Sequence, residues 1–237
     1  MDTLVGDNIS QSNAGWSFEG ISEEFDEHVE RSVPLYNAGH DLVCKLSDFF
    51  LPEDGLVVEL GTSTGVLAER FLKFNEGRKK FRYLGLDVVD GMLEKARSRC
   101  AAFENASFVN EDIRIVETEP TSMFISYYTM QFIHPSYRQE VIDKIYQALE
   151  WGGAFMLFEK VRAPDARFQD IMNQLYHEFK IDNGFSEVEI MAKQRSLKGV
   201  LEPFSTQANV DMMKRAGFLD VMTIMKSVSF EGFLAIK

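Results

Sequence analysis

Three short segments carry acidic residues and glycines at a spacing suited to holding a nucleoside: Glu59-Leu60-Gly61-Thr62-Ser63-Thr64-Gly65, then Asp87-Val88, then Asp112-Ile113. A glycine turn lets the backbone approach a ligand with no Cβ in the way. A carboxylate at the end of the next strand, Asp87, can accept both ribose hydroxyls of a nucleoside. Asp112 can accept the exocyclic amine of adenine, while Ile113 offers the ring an apolar face. Each segment has an ordinary alternative, a structural turn or a strand-end aspartate capping a helix. The three in this order are far more specific than any one of them.

The elements needed to position these groups follow from the apolar pattern. Leu56-Val57-Val58-Glu59-Leu60 suits a buried parallel strand, and Val66 to Phe74 carries the helical face Leu67, Phe71, Phe74. Phe81 to Asp87 is a second strand, Gly91 to Ala102 a helix, Ala106 to Val109 a third strand and Met123 to Thr129 a fourth. Val141, Ile142, Ile145 and Leu149 mark a helix that begins at Pro135, a residue at home in a first turn. Trp151-Gly152-Gly153 turns into a fifth strand, Ala154 to Phe158. Phe168, Ile171, Met172, Leu175 and Phe179 form an extra helix, followed by an insertion through residue 204. Ser205 caps a helix ending at Ala216-Gly217, and Val221 to Met225 pairs with Phe230 to Ile236 as a hairpin. This alternation predicts an α/β fold: a doubly wound, mostly parallel seven-stranded sheet with one antiparallel strand. Residues 1–50 read as a tail and lid helices, with Trp16, Phe18 and Phe25 in the lid. Residues 51–237 read as the ligand-binding domain, interrupted by an insertion at 162–204.

Charge narrows the partners. Lys plus Arg is 25 against 37 Asp plus Glu, a formal net charge of −12. Nucleic-acid binders bring basic surface to phosphates, so no nucleic-acid partner is expected. The densest basic spots, Gly77-Arg78-Lys79-Lys80 and Arg97/Arg99, read as solvated faces. No apolar run reaches the length of a membrane span, and the start of the sequence has no signal-peptide pattern. Two cysteines, Cys44 and Cys100, suggest neither a disulfide framework nor a metal site. A cytoplasmic protein without a metal is the expectation.

The glycine turn resembles motif I of the class I methyltransferases, with Ser63 in place of the middle glycine, and implies S-adenosylmethionine as the ligand. A more extensive resemblance is to the carboxy-S-adenosylmethionine synthase family. It is carried by Arg31-Ser32-Val33-Pro34-Leu35-Tyr36, Asn110-Glu111-Asp112-Ile113-Arg114, Gln131-Phe132, Asp143-Lys144-Ile145-Tyr146-Gln147 and Glu159-Lys160. His177-Glu178-Phe179-Lys180, Asn183-Gly184-Phe185-Ser186-Glu187 and Ala216-Gly217-Phe218 continue it. By position, the resemblance implies ligand contacts at Tyr36, Gly61, Thr62, Ser63, Asp87, Val88, Asp112 and Ile113. Glu59 and Gly65 belong to the same turn. Two positions depart from the family: its asparagine at the end of strand four is Tyr127 here, and its carboxylate-binding arginine aligns to Gln194, with Arg195 one place later. A guanidinium pairs bidentately with a carboxylate; a glutamine brings no charge.

These departures favour plain methyl transfer to a small-molecule or carrier-bound acceptor. The alternatives are a carboxy-S-adenosylmethionine synthase consuming prephenate, as the resemblance implies, or a non-catalytic binder. Methyl transfer needs in-line alignment and, for a protonated acceptor, a general base. Candidates are Tyr36, Tyr128, His134 and Arg195, with His28 and Glu159 behind them. Tyr127 and Tyr128 alternate along a strand, so one of the two is expected to face the ligand, and Gln194 rather than Arg195 is expected to point at it. The resembled family is dimeric, and the apolar face of the extra helix suits a homodimer.

Overall fold

The computed structural model describes residues 24–237; the lid expected at Trp16 and Phe18 lies outside the described residues. Two helices lead in, α1 (Phe25–Ser32) and α2 (Tyr36–Phe50). The alternation follows as β1 (Gly55–Leu60), α3 (Val66–Asn75), β2 (Phe81–Asp87), α4 (Asp90–Arg99), β3 (Ala106–Asn110), β4 (Thr121–Tyr127), α5 (Pro135–Ala148) and β5 (Leu149–Lys160). The chain closes with α6 (Ala166–Asp182), α7 (Glu187–Ser196), α8 (Thr206–Ala216), β6 (Asp220–Ser227) and β7 (Phe230–Ile236).

The seven strands lie in the order β3-β2-β1-β4-β5-β7-β6. All pairs are parallel up to β5, and β7 runs antiparallel to both β5 and β6. The strand order reverses between β1 and β4, so their carboxyl ends diverge there and open the crevice in which such sheets bind ligands. Both faces of the sheet are covered, which is why β1 and β4 are buried along their whole length. Alternate residues serve opposite cores. Val57, Met123, Ile125 and Met156 pack with Val43, Phe71 and Leu93 under α2, α3 and α4. Leu56, Val58, Phe124 and Phe155 pack with Val141, Ile145, Met213 and Phe218 under α5 and α8.

Three local expectations are corrected. β5 begins at Leu149, ahead of the expected turn, and Gly152 adopts φ +80 within it. The insertion holds a further helix, α7, opened by a capping box in which Ser186 and Glu189 each bond the other's backbone. β4 ends at Tyr127, two residues early, because Tyr128 turns into the left-handed region at φ 61.

Candidate active site

A cleft of about 820 Å³ opens over the carboxyl ends of the parallel strands. Because β1, β2 and β3 are parallel neighbours, the residues that follow them emerge side by side. Gly61, Thr62, Ser63, Asp87, Val88, Asp112 and Ile113 all line this cleft, as do Tyr36 and Glu59.

The glycine turn is built by exclusion. Gly61 has φ +75, and a Cβ there would overlap the Thr129 side chain, lying 2.8 Å even from its Cβ. Gly65 has φ +77, and a Cβ would approach Ala96 Cα to 2.9 Å, so its absence lets α3 pack on α4. Ser63, which stands where motif I has its middle glycine, also has positive φ, +50; the backbone keeps a conformation glycine favours. Glu59 is buried beneath the turn and accepts hydrogen bonds from Thr62 Oγ1 at 2.5 Å and Tyr83 Oη at 2.8 Å. Burial pushes its carboxyl up to about 7.

Asp87 accepts the backbone N–H of Ser63 at 2.9 Å on one oxygen and that of Val89 at 3.0 Å on the other. Each carboxylate oxygen keeps acceptor capacity for a ligand hydroxyl. Burial raises its pKa despite these donors. Asp112 is gripped by Arg114, whose Nε lies 2.8 and 3.0 Å from its two oxygens and holds the carboxyl below its usual range. Ile113 is buried beside it, and Val88 lies exposed on the rim. A Cβ-free cradle, a carboxylate with spare acceptor sites and an apolar ledge fit S-adenosylmethionine.

The next part of the cleft is aromatic. Tyr127 donates its hydroxyl to the Tyr36 carbonyl at 2.6 Å, tying α2 to the end of β4. A Cβ on Gly39 would overlap the Tyr127 hydroxyl, so that glycine admits the larger side chain. The left-handed turn at Tyr128 breaks the strand alternation, and both tyrosines line the cleft. This corrects the expectation that one of them faces the ligand. Burial raises the pKa of Tyr36, Tyr127 and Tyr128 alike, so near neutral pH these hydroxyls keep their protons.

Other candidates are relocated. His134 caps α5, its Nδ1 accepting from Ser136, and lies outside the cleft. His28 does line it, but burial, reinforced by Lys193, Lys180 and Arg31, pulls its pKa down to about 3. Glu159 is buried and accepts the Gln131 N–H at 3.2 Å rather than lining the cleft. Burial pushes it up to about 8. A carboxyl raised above its unfolded value of 4.5 contributes stability that is present below pH 4.5 and is lost as pH rises through 8. Glu159→Gln is therefore expected to flatten the fall in stability between those limits by roughly 1 kcal/mol per pH unit. Thermal scans of both proteins across that window test this, and parallel profiles would contradict it.

Gln194 and Arg195 both line the cleft from α7, and the Gln194 amide meets the His177 ring. They are not alone. Lys160, Arg162, Lys180, Lys193 and Lys198 line the same end. This concentration of positive charge is hidden in a net charge of −12. The surface basic spots are, by contrast, matched by acids: Arg78 pairs with Asp48, Lys80 with Asp54 and Arg99 with Asp26.

Residues 57–153 match the family model of a methyltransferase domain. The chain is 37% identical to a carboxy-S-adenosyl-L-methionine synthase of Staphylococcus epidermidis, covering 94% of this chain and 97% of that one. It is 36% identical to the Campylobacter lari protein of the same name, covering 92% of each. Among solved structures, human N-acetylserotonin methyltransferase in complex with SAM superposes with a TM-score of 0.63 at 18% identity, over 92% of this chain and 56% of that one. An O-methyltransferase family protein from Burkholderia thailandensis gives 0.67 at 14% identity, over 91% and 59%. The chain thus spans little more than half of those longer proteins, and the likeness to them is one of fold. The chain is an S-adenosylmethionine-dependent transferase of the class I methyltransferase fold, and it belongs to the carboxy-S-adenosyl-L-methionine synthase family.

Proposed function

We propose that this chain makes carboxy-S-adenosylmethionine, taking the carboxyl group from an anionic small molecule. The observation that carries the reading is the basic end of the cleft, where Lys160, Arg162, Lys180, Arg195 and Lys198 gather beyond the nucleoside residues, together with Lys193, whose amine burial and then Lys180 draw down to about 6. Converting a sulfonium methyl into a carboxymethyl group requires removal of a methyl proton and delivery of a carbon dioxide equivalent to that carbon. The sulfonium acidifies its methyl C–H, and a donor that expels carbon dioxide together with a hydroxide, as prephenate does on becoming phenylpyruvate, supplies the carbon and takes up the methyl proton as water. The chain's own part is to hold both anions, donor and product, and to keep water out with the Tyr36, Tyr127 and Tyr128 wall. Prephenate, the donor implied by the family resemblance, is a dianion suited to such a pocket.

Arg195 supports the same reading. It lies next to the position where the family's arginine aligns, on a helix that borders the cleft, and no carboxylate among the described residues pairs with it. Arg195→Ala is expected to weaken carboxy-S-adenosylmethionine binding about tenfold or more, as befits a charge-assisted pair worth roughly 1.5–3 kcal/mol. S-adenosylmethionine binding should change little. Calorimetry with both ligands tests this; equal effects on the two would remove Arg195 from the carboxylate site. The second reading, methyl transfer to a small-molecule or carrier-bound acceptor, is favoured by Gln194 at the aligned position and by Tyr127 filling the space of an asparagine. Under it, wild type prefers the uncarboxylated ligand.

We also read α1 and α2 as a lid over the cleft and the chain as a homodimer of a reducing cytoplasm. Cys44 and Cys100 are free and buried, and Phe168, Ile171 and Leu175 leave an exposed apolar stripe on α6. Light scattering should give twice the 27.1 kDa of one chain, and a Leu175→Glu variant should run as a monomer. A wild-type monomer at micromolar concentration would contradict the dimer.

A further inference from the structure

Two of the cleft lysines share one aromatic ring. Lys160 Nζ, at the end of β5, lies 4.3 Å from the Tyr176 ring centre, and Lys180 Nζ, in the last turn of α6, lies 4.2 Å from it. Lys180 is only 7% exposed. Neither ammonium has a carboxylate within 4.0 Å among the described residues. Cation–π contact satisfies part of each charge, but two like charges on one ring repel, and a buried charge without a counter-ion is costly. Burial, followed by the neighbouring charge of Arg162 for Lys160 and of Lys160 for Lys180, draws the two amines down to about 8 and about 7.

Across Phe230 from Tyr176 stands Tyr128. The Phe230 ring lies 5.1 Å from the Tyr176 ring and 5.7 Å from that of Tyr128. Tyr128 lines the cleft, and its hydroxyl is buried with no hydrogen-bond partner. It is presented by a left-handed backbone that a bulky residue seldom adopts. Lys160 Nζ also lies 5.9 Å from the Phe230 ring centre, so two amines lacking an acid and one hydroxyl lacking an acceptor flank a single run of rings, Tyr176, Phe230 and Tyr128.

We infer that Lys160, Lys180 and the Tyr128 hydroxyl form a carboxylate-binding subsite, which seats an organic acid with its apolar body against Phe230. The inference rests on the anionic-donor reading above and names the residues that hold the donor. A carboxylate there gives both amines their counter-ion and the hydroxyl its acceptor. Two amines on one ring without a carboxylate are electrostatically unfavourable to the fold, so the group is kept at a cost to stability, as binding sites commonly are.

The test is calorimetric titration of the full chain, saturated with S-adenosylhomocysteine, with two probes: prephenate and phenylpyruvate. Lys180→Met is expected to weaken both at least tenfold and Tyr128→Phe about fivefold, while S-adenosylhomocysteine affinity moves less than twofold in each. The midpoint of thermal unfolding of Lys180→Met should equal or exceed that of wild type, because an unpaired buried charge has been removed. Tyr128→Phe, which deletes one oxygen, is the second variant should Lys180→Met fold poorly. Unchanged probe affinity in the variants, or no binding of either probe by wild type at millimolar concentration, overturns the subsite. Lys180-dependent binding without conversion of prephenate supports the subsite and removes the synthase reading. Conversion that neither substitution affects does the reverse.

Discussion

Asp87→Ala is expected to abolish most of the thermal stabilisation that S-adenosylmethionine confers on the wild-type chain. A ligand present at 100 times its dissociation constant stabilises the fold by roughly 2.7 kcal/mol. Asp87 offers acceptor sites to two ribose hydroxyls, and hydrogen bonds to a charged group are worth about 1.5–3 kcal/mol each. Losing both weakens binding by two orders of magnitude or more, enough to erase the shift at the same ligand concentration. Asp87 also holds the Ser63 and Val89 N–H groups, so the free variant should melt lower than wild type. The diagnostic quantity is therefore the ligand-induced shift in each protein, measured by scanning calorimetry. A full shift in Asp87→Ala would place the ribose elsewhere.

Gly61→Ala should be the most damaging single methyl added to this fold. The left-handed conformation costs a non-glycine residue roughly 1–2 kcal/mol, and the new Cβ would overlap Thr129, where overpacking typically adds about 1–3 kcal/mol. A loss of about 2–5 kcal/mol in urea unfolding is the expected result. Thr129→Ala in the same chain removes the Oγ1 and Cγ2 atoms that clash but leaves the Thr129 Cβ 2.8 Å from the added methyl, and the backbone strain with it. The double variant should recover only some of the overpacking part. Wild-type stability in Gly61→Ala would show that the turn readjusts without resistance.

Both effects concern residues whose importance is visible in the bare sequence, because parallel strands put their exits side by side. Once β1, β2 and β3 are recognised, Gly61, Asp87 and Asp112 must meet, whatever the helices between them do. Residues whose position depends on a local exception are harder to read. Strand alternation admits one of Tyr127 and Tyr128 to the cleft; the left-handed turn at Tyr128 admits both. The helix α7 escapes an apolar-periodicity reading because its apolar residues do not gather on one face, although Ser186 and Glu189 spell its capping box. The extra helix α6 draws attention through Phe168, Ile171 and Leu175, yet those residues are exposed. Its opposite side delivers Gln169, Asn173, Tyr176 and Lys180 to the cleft. Net charge conceals the most telling feature. A chain with 12 more acids than bases over its length still concentrates lysines and arginines at one end of a single pocket, because residues from β5, α6 and α7 meet only in the folded molecule.

The central claim is that this pocket joins a methyl donor to an anionic source of carboxyl. Purified chain incubated with S-adenosylmethionine, with and without prephenate, and followed by mass spectrometry tests it most directly. The account predicts a product heavier than S-adenosylmethionine by one carboxyl group in place of a methyl hydrogen, formed only when prephenate is present. Persistence of unmodified S-adenosylmethionine under both conditions, or its conversion to S-adenosylhomocysteine with an added methyl acceptor, would contradict it.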